Sequence, residues 1–159
     1  MADTQTLRGL DDVLRKLKSL PSEIVSKRGG PVKSALRKGA KVVADEWVKR
    51  IRDVVSAPEE SGYVSTDTLA KAVTVSRDPR PQQSGANERY RMHVRRRTYP
   101  DGTKTIATAR YLELGTELRP PTPTLTPAYF SSRQRALTTV VDELGKGIAK
   151  VIRKMEATR

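Results

Sequence analysis

Tyr111-Leu-Glu-Leu-Gly-Thr-Glu-Leu-Arg-Pro-Pro-Thr-Pro-Thr-Leu-Thr-Pro-Ala128 is the stretch on which the reading of this 159-residue chain turns. A short apolar and acidic run leads into Gly115-Thr116, then Pro120, Pro121, Pro123 and Pro127 precede a final helical pattern. Proline fixes φ and removes a backbone donor, so the crossing cannot be a central strand and reads as an ordered, extended loop. Gly115 can take a positive φ and end a short helix. Thr116 can bond the backbone groups freed there. Glu113 can answer Arg110 or Arg119 on the surface, or a basic residue of a neighbouring subunit. An exposed pair of that kind contributes only about 0–1 kcal/mol, so it would set register more than affinity.

On the N-terminal side of this stretch two helical segments are predicted. The first runs from about Asp11 to Leu20, with Val13, Leu14, Leu17 and Leu20 on one stripe, and Pro21 stops it. Ser22 can cap a brief resumption to Lys27 that carries Ile24 and Val25. Gly29-Gly30-Pro31 is a break with proline at the first position of the next helix, where its missing N–H does no harm. That helix spans residues 31–55, with Val32, Leu36, Ala40, Val43, Trp47, Ile51 and Val54 stepping by three or four. Trp47, the sole tryptophan, sits on the stripe and reads as core.

Residues 72–109 change period to two. Asp67 to Lys71 can start a short turn, and Ala72 to Ser76 reads as a strand. Residues 77–88 read as a mobile polar loop, and Glu88 to Thr98 as a second strand. Pro100-Asp101-Gly102 reads as a hairpin turn, with Thr103 to Ala109 returning as its partner strand. After the crossing at 117–130 a last helix covers 131–157, with Ala136, Val140, Leu144, Ile148, Val151, Ile152 and Met155 apolar. The expected architecture is a single α+β domain over 1–159: a small antiparallel sheet with a hairpin, packed against a long central helix and a C-terminal helix, behind an N-terminal helical segment at 1–30.

Charge points to contact with another macromolecule. Lys and Arg number 31 against 18 Asp and Glu, a formal +13, and residues 61–110 hold ten basic against four acidic side chains. The middle of the chain is where a polyanion or an acidic protein would be met. Period-two geometry puts Arg89, Arg91, His93, Arg95 and Arg97 on one strand face, a stripe that could face DNA, an acidic protein or solvent. No aromatics interleave with these arginines, and no helix-turn-helix or zinc-finger spacing occurs.

Catalysis finds little support. His93 is the only histidine and cysteine is absent, so no triad, thiolate site or disulfide can be drawn, and neither a cofactor nor a metal is expected. The acidic pairs Asp11-Asp12, Asp45-Glu46, Glu59-Glu60 and Asp142-Glu143 are adjacent and do not face one another on a helix. Gly29-Gly30-Pro31 lacks the Gly-Lys-Ser/Thr ending of a phosphate loop. No apolar stretch approaches the roughly 18 residues of a membrane span, and Met1 to Thr6 lacks signal-peptide regions, so a soluble intracellular product is expected.

An ordered set of these features resembles the neck, tail-completion or head–tail joining proteins of long-tailed phages, often called minor tail components. The features are Gly9-Leu10, the basic amphipathic helix at 31–55, Thr66-Asp67-Thr68-Leu69, the hairpin at 88–109, then Tyr111, Glu113, Gly115 and Thr116, Pro127-Ala128 and the last helix. The chain departs from the pattern at Ala57-Pro58, followed by Glu-Glu-Ser-Gly62, and at Leu114, where a bulky aromatic is usual. The resemblance implies a virion structural protein and not an enzyme: a ring of six subunits that joins the tail tube to the head connector, with the genome passing through. It implies as partners further copies of the chain, the tail terminator or tail tube protein, connector or adaptor proteins, and DNA in the channel. Tyr111, Glu113, Gly115, Thr116, Pro121, Pro123 and Pro127 would form subunit contacts, with 117–130 as an extended arm, and Arg89, Arg91, Arg95 and Arg97 would face DNA or an acidic partner. The other reading is a small basic nucleic-acid-binding protein that uses the arginine-rich hairpin.

Overall fold

A computed structural model describes residues 30–55 and 67–157. The helix expected at 11–20, and its resumption to Lys27, lie outside the described residues. The order is helix α1 (Pro31–Val55), helix α2 (Thr68–Ala72), strand β1 (Val73–Arg77), one 3₁₀ turn (Pro81–Ser84), strand β2 (Tyr90–Val94), helix α3 (Thr105–Leu114) and helix α4 (Leu125–Glu156). This is an α+β fold built on one antiparallel hairpin and two long helices.

The helices α1 and α4 run antiparallel. Pro31 lies beside Gly147, Gly39 against Val140, and Glu46 reaches Arg135 and Ser131. Gly39 is what lets the axes come close: a Cβ there would overlap Val140 Cγ2 and stand 3.1 Å from the Ala136 carbonyl oxygen. Ion pairs between Lys38 and Glu143 and between Arg135 and Glu46 line the rim of the contact.

The hairpin also packs against α1. Val73 pairs with Val94 and Val75 with Met92, and Val73, Met92 and Val94 pack on the buried cluster of Trp47, Ile51, Leu69, Ala70 and Ala128. Thr74, Ser76, Arg91 and His93 occupy the outward face. The connection between the strands is more ordered than its polar composition suggests. Pro81 is buried, Gly85 takes φ 72°, and the Asp78 carboxylate, 7% exposed as a residue, accepts the Arg80 N–H at 3.0 Å.

The turn at Pro100–Gly102 is present, with Gly102 N–H donating to the Tyr99 carbonyl at 3.0 Å, but Thr103 to Ala109 does not return as a strand. Only Thr98 and Lys104 bridge before α3 begins. The alternation of Thr103 to Ala109 is misleading, because the core takes Thr105, Ala109 and Leu112, spaced by four and three as on a helix. The last helix also starts earlier than expected, at Leu125, with Pro127 in its first turn, where a missing N–H has no intrahelical partner to lose.

Candidate assembly surface

The Gly115 to Thr124 segment closes the core before it reaches the surface. Gly115 has φ 73°, and a Cβ there would stand 2.8 Å from the Arg119 carbonyl oxygen and the Pro121 nitrogen, so the site is reserved for glycine. Thr116 N–H donates to the Arg119 carbonyl at 2.9 Å and Thr122 N–H to the Leu112 carbonyl at 2.8 Å, which folds the chain back over α3. Thr124, 2% exposed, then receives the Trp47 Nε1–H at its hydroxyl, 3.0 Å away.

Glu113 completes this junction. Its Oε1 accepts the Thr124 N–H at 2.6 Å, the Thr124 hydroxyl at 2.9 Å, and the Leu125 N–H. The carboxylate thus takes up the unpaired amides that open α4, a role that the nearby Arg110 and Arg119 did not suggest, and the positive end of the helix dipole adds to the attraction. Burial pushes the Glu113 carboxyl up, but the Leu125 and Thr124 amides and the Thr124 hydroxyl outweigh it and hold the group below the usual carboxylate range. Sequence reasoning could not find this partner, because Thr124 lies eleven residues ahead and meets Glu113 only through the turn. The one available signal was Thr124 itself, a capping residue three positions before Pro127.

The far end of the crossing is therefore core, since Thr124 and Ala128 are buried and residues 125–130 are helical. Its near end is surface. Tyr111, Leu114 and Leu118 are exposed, Leu118 at 93%, beside exposed Pro120, Pro121 and Pro123, while Pro127 is half-buried. Tyr129 and Phe130, in T-shaped contact at 5.5 Å, are exposed on the next turns, and the Arg133 guanidinium covers Phe130 at 5.3 Å.

The arginine stripe divides in two. Arg89 and Arg91 both reach the Asp78 carboxylate, at 3.8 and 3.6 Å, so they help hold the β1–β2 connection. Arg77 forms a bidentate pair with Glu88, 2.8 and 2.7 Å, and this guanidinium holds the Glu88 carboxyl below its ordinary value. Arg95 and Arg97 lie past the end of β2. With Arg96 they make three consecutive exposed arginines for which no ion pair forms among the described residues. Their backbone is nonetheless fixed. The fully buried Thr105 hydroxyl donates to the Arg95 carbonyl at 2.7 Å and accepts the Arg97 N–H at 3.0 Å, and Thr105 N–H donates to the Arg97 carbonyl at 3.0 Å. Thr105 was invisible in the sequence because it reads there as one threonine of a polar strand.

Among the described residues no group of three or more His, Asp or Glu could hold a metal, and no helix is long and apolar enough to cross a membrane. The buried polar groups of the junction bind the fold's own backbone, while bare apolar and cationic groups stand outside. That is the make-up of a structural protein working through contacts with other macromolecules. The chain belongs to the HK97-gp10-like family, described as "Bacteriophage HK97-gp10, putative tail-component", which it matches over residues 11–115. It is thus a phage tail component and a part of the virion. No curated protein and no solved structure matches the chain.

Proposed function

We propose that the chain is a ring-forming tail-completion or neck subunit that joins the tail tube to the head connector, with the genome passing through the ring of six. The observation that carries this reading is the exposed set Tyr111, Leu114 and Leu118 beside Pro120, Pro121 and Pro123, on a turn whose backbone is pinned at Gly115 and Thr116. A rigid apolar patch rimmed by polar groups is the form an assembly contact takes. A ring needs such a patch to meet a different surface on the next copy, head to tail. Glu113 acts in it from behind, by fixing the turn. The subunit works by shape and surface complementarity, without catalysis or a cofactor, and its partners are further copies of itself, the tail tube or terminator protein and the connector. Electron microscopy of assembled particles tests this: density for six copies at the head–tail junction is expected. One copy per tail, or none at the junction, rejects the reading.

The guanidinium groups of Arg95, Arg96 and Arg97, for which no ion pair forms among the described residues, favour a second reading, a small basic protein that binds nucleic acid. Salt-dependent DNA binding by the isolated chain, with no assembly on tail proteins, would select it over the first.

A further inference from the structure

The exposed large hydrophobic side chains of the described residues fall into two sets. Ile106, Tyr111, Leu114 and Leu118 lie on α3 and the turn after it, and Tyr129, Phe130, Leu137, Val141 and Ile152 lie on α4. Leu137 is twelve residues past Leu125, where α4 begins, so about 18 Å of helix sets it apart from the turn. A head-to-tail contact needs two different surfaces on every subunit, and the chain exposes two.

The α4 surface also holds a glycine that its own subunit does not explain. A Cβ at Gly39 or Gly147 would overlap Val140 or Pro31, and Gly115 has a positive φ. Gly145 has neither reason: it is exposed, its φ is not positive, and an added Cβ would meet nothing within 4 Å among the described residues. Glycine weakens a helix interior through its backbone entropy, and no contact inside the subunit offsets that here. At about 100° per residue, Gly145 shares one stripe of α4 with Leu137, Val141, Ile148 and Ile152. Val141 stands one turn before it and Ile148 nearly one turn after, so the missing side chain leaves a notch between apolar neighbours. Leu118 is the counterpart in form. At 93% exposed it stands furthest into solvent of the large hydrophobic side chains described, on a turn pinned by the Thr116–Arg119 backbone hydrogen bonds of 2.9 and 3.2 Å.

We propose that Leu118 of one subunit seats on Gly145 of the next, between Val141 and Ile148, with Tyr111 and Leu114 beside it against the same stripe. The occupant of the α4 surface is thus a second copy of this chain, entering by its turn. This rests on the ring reading and names the second surface that such a ring requires.

Gly145→Leu fills the notch. With nothing to strike inside the subunit, it should raise the thermal midpoint of the isolated chain by about 2–4 °C. It should also cut incorporation into particles about tenfold or more, because the notch no longer admits Leu118. Normal incorporation overturns the proposal, and so does a lowered midpoint, which would place the notch inside the subunit. The chain has no cysteine, so Leu118→Cys and Val141→Cys supply the only thiols. In purified particles a short bis-maleimide should join the doubly substituted chain into a series of multimers and leave each single variant a monomer. A linked dimer from either single variant, or a doubly substituted chain linked only to itself, overturns the contact. Six copies at the head–tail junction without a linked series overturn this contact and leave the ring. A linked series from particles that lack six copies there leaves the contact and rejects the ring.

Discussion

The Glu113–Thr124–Trp47 junction and the Arg95–Arg97 ledge are both held by a buried threonine, yet they use it oppositely. At the junction the Thr124 hydroxyl joins an indole to a carboxylate, and the carboxylate spans the first amides of α4. Every group named there faces inward. At the ledge the Thr105 hydroxyl grips only backbone, and the three side chains project outward without ion partners among the described residues. Polar chemistry used internally fixes where helices start. Polar chemistry held rigid but unmatched is available to another molecule, and its side-chain entropy is only partly lost in advance.

The comparison can be broken by mutation. Trp47→Ala empties the core where the junction anchors and should cost about 3–5 kcal/mol, read as the loss in urea unfolding free energy. Thr124→Val keeps the shape but strands the Trp47 Nε1–H and should cost about 1–3 kcal/mol. If that variant is as stable as the parent, the junction is not a structural tie.

Glu113→Gln should cost about 0.5–2 kcal/mol, in the range of a lost helix cap. Its pH dependence is more telling. The folded pKa of Glu113 lies below its unfolded value, so its contribution is complete above the ordinary glutamate range and lost as pH falls through the lowered folded value. Unfolding curves taken down an acid series should therefore fall less steeply for Glu113→Gln than for the parent. Identical slopes would show that the carboxylate does not cap α4.

The smallest effect belongs to the ledge. Arg95, Arg96 and Arg97 changed together to Gln should alter stability by no more than about 0.5 kcal/mol per site. Incorporation into particles, or DNA binding by the isolated chain, should nevertheless drop at low salt, and the difference from the parent should shrink as salt rises. Arg91→Gln, which loses an Asp78 contact, should do the reverse, with a small stability change and normal assembly. Normal particle yield from the triple variant would reduce the ledge to solvated charge.

Local signals were legible wherever one element decided its own fate. Pro31 and the three–four spacing through Ile51 marked α1, which spans the expected residues, and the alternation of Tyr90 to Val94 set Arg91 and His93 outward. The reading failed where tertiary contacts chose. Thr105, Ala109 and Leu112 form a helix because the core sits on that side of them, against a sequence that alternates. Pro127 looked like the end of a crossing, although a proline is equally at home in a helix's first turn. Glu113 offered nearby arginines as partners, while the amides it caps become available only once α4 has begun. Half of the arginine stripe was lost in the same way, because Asp78, the group that claims Arg89 and Arg91, lies across the hairpin.

The close passage at Gly39 has an evolutionary consequence. The wall that a side chain at 39 would strike is Val140 Cγ2, and the Ala136 carbonyl stands just behind it. Bulk at these two positions must therefore trade off. A lineage that acquires Ala at 39 can keep the helix spacing only by trimming 140, and one that enlarges 140 is bound to Gly at 39. Substitutions at 39 and 140 should travel as a pair, a covariation that reports the α1–α4 register without any particle being imaged.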